Sequence, residues 1–208
     1  MIKLIIFDLD NTLFDTRGQL GMKALDKMIS EMKKVGLTPE QERILREKYH
    51  ATGFRILAKQ LGFSENLLRI GLDTYKHLDL AGITPFPDVH VLQELSQEKV
   101  LVTSGLKHVQ MKKVEILGLM HLFKEVIVDD SNNLSNKERI FDKLVRKHKL
   151  SQREVMVVGD NAESEIAAGH NLGMVVVQIF RRDFIKGKAD YYVKDLYEVK
   201  SIIQRMKA

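Results

Sequence analysis

The chain has 208 residues, 44% of them hydrophobic, a formal net charge of +5 and no cysteine. That suffices for one sizeable α/β core with a smaller second unit, and it excludes disulfides and thiolate metal sites. No apolar run reaches the roughly 18 residues of a membrane span. The 33 basic residues are dispersed among 28 acidic ones, without a basic tail or an aromatic-interleaved basic stripe.

The chain opens on the apolar run Ile2-Lys3-Leu4-Ile5-Ile6, which predicts a buried strand over 2–7 and carries no signal-peptide pattern. The expectation is a cytoplasmic protein that binds neither membrane nor nucleic acid polymer, a monomer by default. The strand runs into Phe7-Asp8-Leu9-Asp10-Asn11-Thr12-Leu13. Alternation sends Asp8 and Asp10 to the same face. Burying like charges together costs several kcal/mol unless a cation or a proton relieves them, and a hard divalent ion such as Mg2+ does so most simply. The structural alternative is a surface turn rich in Asp and Asn.

From about residue 16 to 84 the pattern contains no strand. Helical periodicity appears over 20–34, 39–49, 54–61 and 65–77. Thr38-Pro39-Glu40 and Ser64-Glu65 read as helix starts, while Gly36 and Gly62 follow helix ends. This stretch predicts a small all-helical domain, 16–84, inserted into a core made of 1–15 and 85–208. It closes at Thr84-Pro85-Phe86-Pro87-Asp88, whose prolines resist helix and suit a rigid hinge. A helix over 89–97 is expected next. Further strands are predicted over 100–103, 126–128, 155–158 and 174–179, with a short one over 191–193. Each is near-continuously apolar, as in a parallel sheet covered on both faces and linked by helical crossovers.

Such sheets bind ligands beyond the carboxyl ends of their strands. The second strand stops at Thr103-Ser104-Gly105, which offers hydroxyl and backbone donors to an anion and a glycine for the turn. The fourth stops at Gly159-Asp160-Asn161-Ala162-Glu163-Ser164-Glu165. Between the third and fourth, Lys137 lies in Ser135-Asn136-Lys137-Glu138-Arg139, at the start of a helix predicted over 138–148. It could supply the fixed cation that a metal-assisted phosphoryl site needs. Singly these signals are weak, since Gly-Asp often makes a turn and most lysines are solvated. Their joint placement at one sheet edge is the informative part. The seven histidines show no paired-ligand spacing.

Taken together, the positions resemble the motifs of the haloacid dehalogenase superfamily over essentially the whole chain. Asp8-Leu9-Asp10-Asn11-Thr12 is similar to its first motif, Thr103 to its second, Lys137 followed by Ile140-Phe141 to its third, and Gly159-Asp160 with Glu165 to its fourth. In that last motif Glu163 competes with Glu165, where the family more often has aspartate. The resemblance implies an α/β fold, a Rossmann-like parallel sheet in the order 5-4-1-2-3 with helices on both faces and a small all-helical cap domain. It further implies a Mg2+-dependent phosphatase acting on a small phosphorylated metabolite. Asp8 would be the nucleophile that forms an aspartyl-phosphate, and Asp10 the general acid and base. Thr103, Ser104, Gly105 and Lys137 would bind the substrate phosphate. The metal would be held by Asp8, the Asp10 backbone carbonyl and Asp160, with Glu165 acting through water.

An aspartate at position 10 favours phosphate esters over the family's dehalogenases, whose halide needs no proton. A phosphomutase resembling β-phosphoglucomutase would use the same residues, and a non-catalytic regulatory module is a further alternative. A receiver domain fits poorly, because its lysine falls near the end and no cap is present. The insert segment Tyr49-His50-Ala51-Thr52-Gly53-Phe54-Arg55, with Leu57 and Leu61, faintly resembles pyrimidine 5'-nucleotidases, while phosphoglycolate-phosphatase-like members share the cap type. Within it Arg55 is either an anion partner or a solvated helix arginine.

Overall fold

The computed structural model describes residues 1–49, 52, 54–130, 136–181 and 185–206. His50, Ala51 and Gly53 of the insert segment and Ser135 before Lys137 lie outside the described residues. The chain divides into two compact units, Met1–Asp15 with Thr84–Ala208, and Thr16–Ile83.

The first unit is built on a parallel sheet of β1 (Leu4–Phe7), β2 (Glu98–Ser104), β3 (Glu125–Asp129), β4 (Val155–Gly159), β5 (Val175–Ile179) and β6 (Tyr191–Val193), in the order 3-2-1-4-5-6. Read from the other edge, this is 5-4-1-2-3 extended by the short sixth strand. The central strand β1 is buried at all four positions. Its even residues Leu4 and Ile6 pack with Val100, Val102, Val155 and Val157 against Phe141, Leu144, Val145 and Ala168. Those last four come from α6 (Asn136–His148) and α7 (Ala167–Asn171). By alternation Ile5 and Phe7 face the opposite side, where the Phe7 ring meets Phe123 edge-on at 6.1 Å. This two-sided cover explains why the strands read as unbroken apolar runs. Helices α5 (Lys107–Ile116) and α8 (Leu196–Arg205) also belong to this unit.

Element ends shift by a residue or two from expectation, as at β1 and α6, and two departures around the start of β2 have a clear cause. Strand β2 starts at Glu98, because Glu98 and Lys99 stand opposite Leu4 and Ile5 in the ladder although their side chains are polar. For the same reason the helix expected over 89–97 cannot run its course, since its end must feed that strand. Residues Pro87–Glu94 form a tight 3₁₀ stretch, and Leu95 is already extended.

The second unit is helical, with α1 (Met22–Lys33) preceded by a widened turn at Arg17–Gly21, then α2 (Pro39–Lys48), α3 (Phe54–Gln60) and α4 (Glu65–Lys76). Thr38 caps α2 by a reciprocal pair: its hydroxyl accepts from the Gln41 N–H at 3.2 Å, and its own N–H donates to Gln41 Oε1 at 3.1 Å. Ser64 caps α4 through the Leu67 N–H. The core of this unit gathers Leu25, Met28, Ile29, Met32, Leu37, Leu45, Leu57 and Leu67. Gly71 on α4 admits the Phe54 ring so closely that a Cβ there would lie 2.2 Å from Phe54 Cζ. Arg55 is a half-buried residue of α3. Among the described residues no helix is long and apolar enough to cross a membrane.

Candidate active site

Strands β1, β2 and β4 run level, with Phe7 beside Leu101 and Val158, so the polar residues just past their ends emerge at one edge. Asp8 continues β1, donating its N–H to the Val158 carbonyl at 3.0 Å. The chain then turns at once. The Leu9 carbonyl accepts from the N–H groups of Thr12, Leu13 and Phe14, and Asn11 takes a positive φ of 55°, which asparagine tolerates better than most residues.

The Asp8 carboxylate is buried and meets Lys137, whose Nζ donates to Asp8 Oδ1 at 2.8 Å and to Glu165 Oε2 at 2.7 Å. Lys137 sits in the first turn of α6 with its ammonium group sealed from solvent. Burial alone would lower its pKa, but Asp8 and Glu165 outweigh that and hold the lysine charged. Ligand oxygens of Asp8, Asp160 and Glu165 all lie within 4.8 Å of one another. Three buried carboxylates thus share one close lysine. Burial, with Glu165 and Asp10 adding to it against Lys137, raises the Asp8 pKa to about 7. Burial, then Glu165 and Asp8, raises that of Asp160 well above the usual carboxylate range. Such a set is deficient in positive charge, and an oxygen-seeking divalent cation fits it.

Glu165 is the buried acid of the fourth motif, whereas Glu163 is exposed. Both Glu165 oxygens accept from the protein, Oε1 from the Asn161 N–H at 2.7 Å and Oε2 from Lys137. The side chain passes directly over Gly159: a Cβ there would lie 2.3 Å from Glu165 Cγ. Only glycine ends β4 without displacing the carboxylate. Behind Asp160, buried Gln178 donates to its carbonyl at 2.8 Å and accepts from the Gly187 N–H.

Asp10 sits apart from this cluster. Its Oδ1 accepts from Lys113 Nζ at 2.8 Å and its Oδ2 from Gln110 Nε2 at 2.7 Å. The same amide nitrogen is 2.6 Å from Thr103 Oγ1 and 2.9 Å from the Ser104 carbonyl. Thr103 is therefore buried at the site, while Ser104 and Gly105 are exposed. Gly105 has a φ of 142° and donates its N–H to the Asp129 carbonyl. Its contribution here is to the turn. Sequence reasoning missed Gln110 and Lys113. Their signal lies in α5, where two polar residues fall inside the stripe of buried Val109, Val114 and Leu117.

The chain belongs to the haloacid dehalogenase-like hydrolase family, whose profile matches residues 5–179. A glyceraldehyde 3-phosphate phosphatase from Methanocaldococcus jannaschii is 28% identical, with the alignment covering 100% of this chain and 99% of that protein. An enzyme of the same name from Methanopyrus kandleri is 29% identical over 87% of this chain and 85% of its own length. Among solved structures, a haloacid dehalogenase-like family hydrolase from Streptococcus pneumoniae superposes with a TM-score of 0.76, covering 97% of this chain and 98% of that one at 18% identity. That last likeness is one of fold.

Proposed function

We propose that the protein is a Mg2+-dependent phosphatase that hydrolyses a small phosphate monoester through an aspartyl-phosphate on Asp8. The observation that carries this reading is the buried triad Asp8, Asp160 and Glu165 around Lys137, with a second aspartate, Asp10, held separately beside it. Asp8, Asp160 and the Asp10 carbonyl would hold the ion. Glu165, whose two oxygens already accept from the protein, would act through water. Bound there, Mg2+ would offset the excess negative charge of the cluster and of the substrate phosphate.

An Asp8 oxygen attacks phosphorus and the ester P–O bond breaks; Asp10, which must enter this step protonated although it pairs with Lys113, gives that proton to the departing alcohol oxygen. Asp10, now a carboxylate, takes a proton from water as that water attacks the acyl-phosphate, which releases phosphate and restores Asp8. Lys137 and Thr103 would hold the phosphoryl oxygens, with exposed Ser104 next in sequence as a further donor. The near-neutral pKa of metal-free Asp8 gives the cation a second role, because a protonated Asp8 is no nucleophile.

The curated relatives named glyceraldehyde 3-phosphate phosphatase make a triose phosphate the first substrate to test. The experiment is phosphate release from a panel of triose phosphate, phosphoglycolate, hexose phosphates and nucleoside 5'-monophosphates, with Mg2+ and with EDTA. We expect free phosphate from a small ester, lost in EDTA. Full activity in chelator would sink the metal assignment, and an isomerised sugar phosphate in place of free phosphate would make the protein a mutase.

A further inference from the structure

The residues that hold Asp10 come from α5, which contributes none of the groups assigned above. Gln110 and Lys113 are three positions apart and so share one face of that helix. Lys113 is fully buried, its Nζ 2.8 Å from Asp10 Oδ1 and 5.5 Å from the centre of the Phe14 ring. Phe14 in turn bridges the main chain of Asp10. Gln110 is also buried and takes the other oxygen, Oδ2. Both carboxyl oxygens are thus fixed from one side, yet a quarter of the Asp10 side-chain surface stays exposed, 25% against 1% for Lys113.

A stability role alone explains this poorly. A buried ion pair is commonly no better than a well-packed apolar replacement, and position 113 lies, with Gln110, in a stripe whose other members Val109, Val114 and Leu117 are apolar. A long hydrophobe would serve the packing. What it would not supply is a fixed carboxyl plane, and proton transfer tolerates displacements of only about 0.5 Å.

We propose that Lys113, assisted by Gln110, is a positioning residue that sets the Asp10 carboxyl for proton transfer to the leaving oxygen. Gln110 also ties Asp10 to Thr103 and the Ser104 carbonyl, so the proton donor and the phosphate-binding strand end move as one piece. The inference rests on the reading of Asp10 as general acid, and the test separates the two.

Asp10→Asn, Lys113→Met and Gln110→Met are compared on an alkyl phosphate and on 4-nitrophenyl phosphate, with kcat/KM as the readout. That parameter covers steps only up to departure of the first alcohol, so hydrolysis of the acyl-phosphate does not enter. A nitrophenolate leaves without a proton, whereas an alkoxide does not. Asp10→Asn should lose about a hundredfold to ten-thousandfold on the alkyl ester and far less on the aryl ester. Lys113→Met should show the same skew, losing about ten- to a hundredfold on the alkyl ester and at least about fivefold less on the aryl one. If Asp10→Asn loses equally on both esters, the general-acid reading falls and this inference with it. If Asp10→Asn is skewed while Lys113→Met loses equally on both, Lys113 is structural only and this inference alone is overturned. Should Lys113→Met not fold, Gln110→Met, which keeps the buried ion pair, decides by the same criterion.

Discussion

Glu165 is gripped by two donors and pressed against the main chain, so its position depends on an atom that is missing. Gly159→Ala would put a Cβ 2.3 Å from Glu165 Cγ and 2.5 Å from Oε1. Displacing the carboxylate would stretch its bonds from the Asn161 N–H and from Lys137, and Lys137 cannot follow without giving up Asp8. Changes in the shell behind metal ligands typically cost ten- to a hundredfold in metal affinity. Gly159→Ala should accordingly raise the Mg2+ concentration for half-maximal activity by at least about tenfold, read from a Mg2+ titration. An unchanged titration would show that Glu165 does not support the ion. Asp8→Asn should abolish turnover outright, because an amide cannot form the acyl-phosphate; residual activity near the wild-type rate would remove Asp8 as nucleophile. Asp8 and Asp160 were legible because each follows directly on an apolar strand, where a carboxylate has no structural excuse; Glu165 came only from the resemblance, with Glu163 competing. Gln110 and Lys113 were not. Polar residues on a helix normally face water, and although these two interrupt an apolar stripe, only the fold shows that Asp10 is what they meet.

At the scale of elements, Arg181 just after β5 fastens three segments distant in sequence. Its guanidinium pairs with both oxygens of Asp88, Nη1 at 2.8 Å and Nη2 at 3.0 Å. It also donates to the Thr12 carbonyl in the turn after β1 and stacks 4.2 Å from the centre of the Phe86 ring. Asp88 Oδ2 further accepts the first N–H of α8, from Leu196. With both side chains nearly sealed, at 8% and 7%, removing the arginine leaves a buried carboxylate without its cation. Breaking such a pair costs roughly 3–5 kcal/mol. Arg181→Met should therefore lower the thermal midpoint by on the order of 10 °C, and Arg181→Lys should recover under half of that, since a lysine cannot reproduce the fork. A midpoint within about 2 °C of wild type for Arg181→Met would refute the account. None of this was visible beforehand. The motif Pro85-Phe86-Pro87-Asp88 announced a stiff return of the chain, but the arginine that completes it lies 93 residues further on. Strand positions fared better, because unbroken apolar runs survive without knowledge of partners. The stretch 87–94 did not, because its helical pattern yields to the start of β2.

For the whole molecule, charge in the cluster links the cation to stability. Metal-free, Asp8 holds its proton up to about pH 7 against an ordinary value of 3.8, and Asp160 is raised in the same direction. The folded protein therefore binds more protons on these groups than the unfolded chain does between about pH 4 and 7. Stability falls with rising pH wherever the folded state binds more protons. Their contribution is most favourable below about pH 4, where both states are protonated, and it is lost as pH climbs through the folded pKa. Mg2+ replaces those protons, so the ion should stabilise the fold more strongly at high pH, where it meets ionised carboxylates and no proton competes. Thermal midpoints with saturating Mg2+ and with EDTA, taken at pH 5 and pH 8, isolate this effect, because groups elsewhere contribute equally to both members of each pair. The expected gain from Mg2+ is larger at pH 8 than at pH 5, by at least a few degrees, and smaller at both in Asp8→Asn. A gain that is equal at the two pH values, or larger at pH 5, would mean that the buried carboxylates are not where the ion binds.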